Sequence, residues 1–224
     1  MRRLIVIVFG LAGVAVLVSL GVWQVQRLAW KEGILADISS RISAAPVALP
    51  DTPDEVADRY LPVTASGTIA PGLIRVLASH KVLGAGHLLI VPFATGDRTV
   101  MLDLGFLPMG REVPPLDGQT LEVAGNLHWP DEVDGFTPDP DLDEGLWFAR
   151  DVRHMSEALG TEPLLIVRRT GGDLPGVTPM PVDTAGIPND HLGYAITWFS
   201  LAAIWLVMSG ILVYRMRKPG RDEP

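Results

Sequence analysis

Two stretches of the chain carry no charge. Leu4 to Val22 reads LIVIVFGLAGVAVLVSLGV, and Leu192 to Tyr214 reads LGYAITWFSLAAIWLVMSGILVY. A helix that crosses a bilayer needs about 20 apolar residues, so both runs predict transmembrane helices. The first run exceeds the usual apolar core of a cleaved signal peptide, roughly 7–15 residues, and no A-x-A-like site follows closely. Past Val22 the pattern stays helical. Val25, Leu28, Ile34, Leu35, Ile38 and Ile42 recur at helical spacing, with no proline and Gly33 as the one glycine. This predicts one long helix, or two with a break near Gly33, ending before Pro46. ALPDTPDEV, Ala48 to Val56, reads as a proline-and-acid linker.

From Tyr60 the period changes. Short runs rich in β-branched residues alternate with Gly/Pro turns, which predicts strands over 62–69, 73–79, 87–94, 99–106, 120–127 and 163–168. TGDR, Thr95 to Arg98, fits a hairpin connection. Gly135 to Gly145 is a long acidic loop. ARDVRHMSEALG, Ala149 to Gly160, predicts a short helix stopped by Gly160. A sheet of this size must close or be covered to hide its edges. The expected fold is therefore an α+β membrane protein: two transmembrane helices flanking a β-rich extracytoplasmic domain, small-barrel or sandwich-like, with one short helix. The expected segments are a tail over 1–3, spans over 4–22 and 191–214, a helical extension and linker over 23–59, a β-rich domain with its return segment over 60–190, and a tail over 215–224.

Charge then sets orientation. Arg2 and Arg3 precede the first span, and Arg215, Arg217, Lys218 and Arg221 follow the second. Basic residues stay on the cytoplasmic side, so both termini are expected there and the main domain outside. The first span starts close to Met1, which points away from an organelle transit peptide and towards a bacterial inner membrane. The net charge of −8 argues against a nucleic-acid partner. The chain has no cysteine, so disulfides and thiolate metal sites are excluded.

Few residues suggest chemistry. G-x-S-x-G, H-E-x-x-H, S-x-x-K and P-loop signatures are absent. The acidic pairs Asp131/Glu132 and Asp143/Glu144 read as solvated. His80, His87, His128 and His154 read as surface or locally hydrogen-bonded. The outer membrane face is richer. Trp23, Arg27 and Trp30 or Lys31 share one face of the first helix, and His191, Tyr194 and Trp198 share one face of the second. Tryptophan, tyrosine, arginine and lysine commonly belt a membrane interface. His191 is harder to assign to that belt, because an ionisable residue next to lipid needs a reason to be there. Asn189 or Asp190 would cap its helix. Neutral imidazole is a standard protein ligand of haem iron, and Arg27 and Lys31 have the charge to meet haem propionates.

Four motifs, in order, give the chain a wider likeness. They are LGVWQVQRLAWKEGIL with Gly21, Trp23, Gln24, Arg27, Trp30 and Lys31; GAGHLLIVPF followed by VMLDLGFLP with Gly86, Pro92, Gly105 and Pro108; AGNLHWP followed by GFTPDPD with Gly125, Pro130, Phe136, Thr137 and Pro138; and PNDHLGYAITWFSLA with Pro188, Asn189, His191, Tyr194, Ala195, Thr197, Trp198 and Phe199. Together they resemble the surfeit locus protein one family, membrane-anchored assembly factors of haem-copper cytochrome oxidases. One motif departs: Asp103, Leu104 and Phe106 stand where Asn, Arg and Trp are usual. The resemblance implies an assembly factor for cytochrome c oxidase, not an enzyme, that binds haem a transiently or aids its insertion into the catalytic subunit. It makes His191 the candidate axial ligand, with Trp23, Arg27, Tyr194 and Trp198 as neighbouring contacts. The implied partners are the oxidase catalytic subunit, a haem a synthase and the lipid bilayer. The competing reading is a haem-independent scaffold that stabilises an oxidase subunit during assembly.

Overall fold

The computed structural model describes residues 1–216; Arg217, Lys218 and Arg221 of the basic tail lie outside the described residues. The chain divides into two compact units, one built from residues 1–37 with the chain from Ala185 onward, the other from Ile38–Thr184.

The first unit is a pair of apolar helices, α1 (Arg2–Ser43) and α3 (His191–Arg215), both long and apolar enough to cross a membrane. Helix α1 is unbroken at Gly33 and ends at Ser43. Within the unit the two helices run antiparallel, as their contacts show. Arg3 donates to the carbonyl of Met216, Trp205 Nε1 donates to the carbonyl of Gly10 at 3.1 Å, and Gln24 meets His191. Lipid supplies little hydrophobic drive between helices, so close backbone approach matters. A Cβ on Gly13 would lie 2.3 Å from the Trp205 ring, and one on Gly21 would lie 2.8 Å from the Phe199 ring. Phe9 tilts against Trp205 with ring centroids 5.6 Å apart.

The second unit is the β domain. Its elements are β1 (Val47–Ala48), β2 (Pro62–Ile69), β3 (Ile74–His80), β4 (Gly84–Thr95), β5 (Arg98–Pro108), β6 (Thr120–Leu127), β7 (Leu146–Trp147), α2 (Val152–Leu159) and β8 (Leu165–Gly171). The strands lie in the order β1-β2-β6-β8-β5-β4-β3-β7, and β2 pairs again with β4. That extra pairing closes β2, β6, β8, β5 and β4 into a small barrel, which removes the interior sheet edges. Strand β4 makes the closure possible. One of its edges serves β3 up to Ile90 and then β2 at Phe93 and Ala94. A bulge sits between Leu89 and Ile90, where bulges increase local bend and twist. The β4–β5 hairpin turns through Gly96 at φ 60°.

Buried and more exposed positions alternate along much of β2 and at the start of β6, as in a half-buried strand, whereas β4, β5 and the start of β8 are buried in continuous runs. Val63, Ile69, Leu89, Val91, Phe93, Leu102, Leu127 and Ile166 are almost fully buried and form the core with Met155 of α2. Helix α2 is capped by Asp151, whose carboxylate accepts from His154 N–H at 3.1 Å, and it stops at Gly160 in the left-handed region. The last turn of α1 belongs to this unit. Its Ile42 carbonyl accepts from Asn126 Nδ2 and from Arg169 Nη1, each at 3.1 Å.

Candidate functional site

The membrane unit brings one imidazole to one amide. His191 opens α3 and is half-buried; its Nδ1 lies 2.8 Å from Gln24 Oε1. Gln24 is 8% exposed, one helical turn from Gly21, whose missing side chain lets α3 approach. Buried amides in such surroundings require a partner, and His191 is that partner. The ring's Nε2 makes no hydrogen bond among the described residues. Asp190 occupies the cap position without a side-chain cap bond, and Asn189 Oδ1 is buried without a partner.

The other sequence candidates sit around this pair rather than in hydrogen-bond contact with it. Trp23 is one residue from Gln24, about 100° round the helix, and is 53% exposed. Arg27 is exposed and places its guanidinium 3.8 Å from the centroid of Trp30, a cation–π contact. Tyr194 is exposed and Trp198 is partly buried. Among the described residues, no group of three or more His, Asp or Glu is arranged to hold a bare metal ion.

The β domain holds a second polar centre. Asp103 lies in β5 beside the bulge opposite Leu89 and Ile90, where Leu104 is the extra residue and Gly105 takes φ 110°. The bulge lets Asp103 Oδ1 accept from Gly105 N–H at 2.9 Å and frees the Leu104 carbonyl, which accepts from Arg168 Nε at 2.8 Å. Arg150 reaches Asp103 Oδ2 at 3.3 Å and grips Glu132 from Nε and Nη2. Burial raises the Asp103 carboxyl above the usual carboxylate range, against the pull of Arg150. Burial also pushes Glu132 upward, but its bonds to Arg150 outweigh that and hold it low. A cleft of about 710 Å³ opens beside these residues, lined by Trp129, Glu132, Arg150, Arg153, Ser156 and Glu157 among others. His128, close to Arg150, is lowered to about 4, chiefly by burial; its Nδ1 has no partner, and its ring stacks on Tyr60 at 5.5 Å.

The SURF1 family model matches residues 11–203. The chain belongs to the SURF1 family. Surfeit locus protein 1 of Xenopus tropicalis is 29% identical over 211 residues, covering 83% of this chain and 68% of that protein. The human protein of the same name is 26% identical, covering 83% of this chain and 70% of its own. A SURF1-like protein of Monosiga brevicollis is 28% identical, covering 90% of this chain and 84% of its own.

The match runs through both helices and the barrel. Leu104, one of the motif departures, is fully buried, so in this SURF1 chain the position faces the core rather than solvent. Two readings of isolated residues change. Glu132 is not simply solvated: it keeps a solvent-facing side, 37% exposed, while bound to Arg150. His128 is neither a surface histidine nor a locally bonded one, whereas His80 accepts from the amides of Val82 and Leu83 and His154 pairs with Asp151 at 3.0 Å. Gln24 stands in the first sequence motif, but no partner for it is legible there. It is an amide just beyond an uncharged span, on the α1 face that also carries Gly21.

Proposed function

We propose that this SURF1-family chain is a non-enzymatic assembly factor for a haem-copper cytochrome c oxidase, and that its membrane hairpin receives haem a at His191 for delivery towards the oxidase catalytic subunit. The observation that carries the reading is the half-buried imidazole of His191, tied at Nδ1 to Gln24 and uncommitted at Nε2. Such a donor fits an iron whose four equatorial ligands come with its macrocycle, since no cluster of side chains on the described residues would complete a bare ion's shell. A single donor at the end of a helix would suit a group that must be handed on. Trp23, Tyr194 and Trp198 would supply apolar flanks, and Arg27 a cation within reach of propionates. The tails belong in the cytoplasm and the barrel outside a bacterial inner membrane, in keeping with Arg2 and Arg3 at the start of α1. A haem a synthase is the expected donor.

The test is an absorption spectrum of the full chain, purified in detergent from cells that make haem a, with His191→Ala prepared in parallel. Haem a bound by the wild type and lost or spectrally shifted in the variant supports the carrier. Absence of haem from both points to the haem-independent scaffold, and equal haem in both moves the ligand to another residue.

A further inference from the structure

We propose that Gln24 is the positioning residue of His191: its amide oxygen holds the Nδ1 proton and so makes Nε2 the ligating atom. The proposal rests on the reading that His191 ligates haem. The argument begins with hydrogen-bond capacity. An amide oxygen only accepts. At 2.8 Å from Gln24 Oε1, Nδ1 must therefore carry the ring proton in the neutral imidazole. The lone pair is then confined to Nε2, on the opposite side of the ring from Gln24. Histidines that bind metals commonly give their second ring N–H to a carbonyl or carboxylate, which fixes ring orientation and raises ligand basicity.

The surroundings keep this bond short. Gln24 is 8% exposed, so water competes little for its oxygen. Gly21, one turn away, admits the Phe199 ring to within 2.8 Å of where a Cβ would be. A larger residue there would part the helices at the level of the pair. The arrangement differs from a simple interhelical staple in one respect: a staple would work through either ring nitrogen, whereas a ligand needs a defined one.

The experiment is a titration of the detergent-purified full chain with haem a, read by absorption and EPR, on wild type, Gln24→Leu, Gln24→Glu and His191→Ala. Thermal melting of each apo protein checks folding. Gln24→Leu removes the acceptor and is expected to weaken haem a binding by about 10–100-fold and to change the spectrum of what remains bound. Gln24→Glu keeps an acceptor in the same place and is expected to restore binding to near the wild-type level, with a lower haem reduction potential because the ligand becomes more basic. If His191→Ala abolishes binding but Gln24→Leu binds with wild-type affinity and spectrum, the positioning role is wrong and the ligand role stands. It is also wrong if both Gln24 variants lose stability and occupancy together while the bound haem keeps the wild-type spectrum. If His191→Ala binds like wild type, the ligand reading fails, and this proposal with it.

Discussion

His128→Phe should change how the barrel responds to acid. His128 is held neutral, its protonation lowered from 6.5 to about 4, first by burial and then by the nearby Arg150 charge. The unfolded chain gains a proton as the pH falls through about 6.5, and the folded chain takes none until about 4. Stability is therefore unaffected by this group above about pH 6.5, declines between the two values, and levels off below about 4. The gap of about two and a half pH units, at about 1.4 kcal/mol each, amounts to about 3 kcal/mol, of which about 2 kcal/mol is already lost at pH 5. Phenylalanine keeps a ring against Tyr60 and removes the titration. Two neighbours titrate as well. Glu132, held low, also withdraws stability as the pH falls, while Asp103, raised, returns some. Both remain in the variant and largely cancel in the difference. Hydrogen exchange of β6 and β8 amides in the intact chain, corrected for intrinsic rates, reports opening of the barrel without dissecting it. From about pH 7 to 5 the wild type should lose about thirty-fold more protection than His128→Phe. Parallel losses in the two proteins would refute the buried neutral histidine.

Two further perturbations test the other packed centres. Arg150→Ala removes the ion-pair partner of the buried Asp103 and should destabilise the barrel by about 3–5 kcal/mol; thermal denaturation should show part of this recovered in Arg150→Ala/Asp103→Asn, and equal melting of single and double variants would count against the pairing. Gly13→Leu would drive a side chain into the Trp205 ring, whereas Gly33→Leu meets open space. Abundance in the membrane fraction and melting in detergent should fall for the first and stay near wild type for the second.

Sequence pattern revealed most of the architecture because it rests on periodicity. Two uncharged runs became α1 and α3, and turn-bounded β-branched runs became β2 to β6 and β8, with ends displaced by a few residues. Strands β1 and β7 were hidden because two residues carry no period; they exist only as additions to the edges of β2 and β3. Barrel closure was hidden too, since it depends on Thr68 and Ile69 meeting Ala94 and Phe93, a pairing with no local signature. At the candidate site His191 stood out as the one histidine at the mouth of an apolar run. Its partner did not, because Gln24 and His191 are 167 residues apart and meet only through the register of the hairpin. The charged centre was obscured for a different reason: Glu132 and Arg150 look like ordinary surface residues until a bulge around Leu104 turns Asp103 towards them.

The double hydrogen bond to Ile42 has a consequence for biosynthesis. The final carbonyls of a helix need partners from outside it. Here the donors come from Asn126 and Arg169, 84 and 127 residues further along the chain. During synthesis the end of α1 emerges long before either donor exists. Its last turn must wait, bonded to water, until β6 and then β8 have been made. Strand β8 is also the one that slots between β5 and β6, so the helix end is sealed and the barrel completed by the same late segment. A ribosome stalled before Leu165 would leave both unfinished, with sheet edges open to other chains.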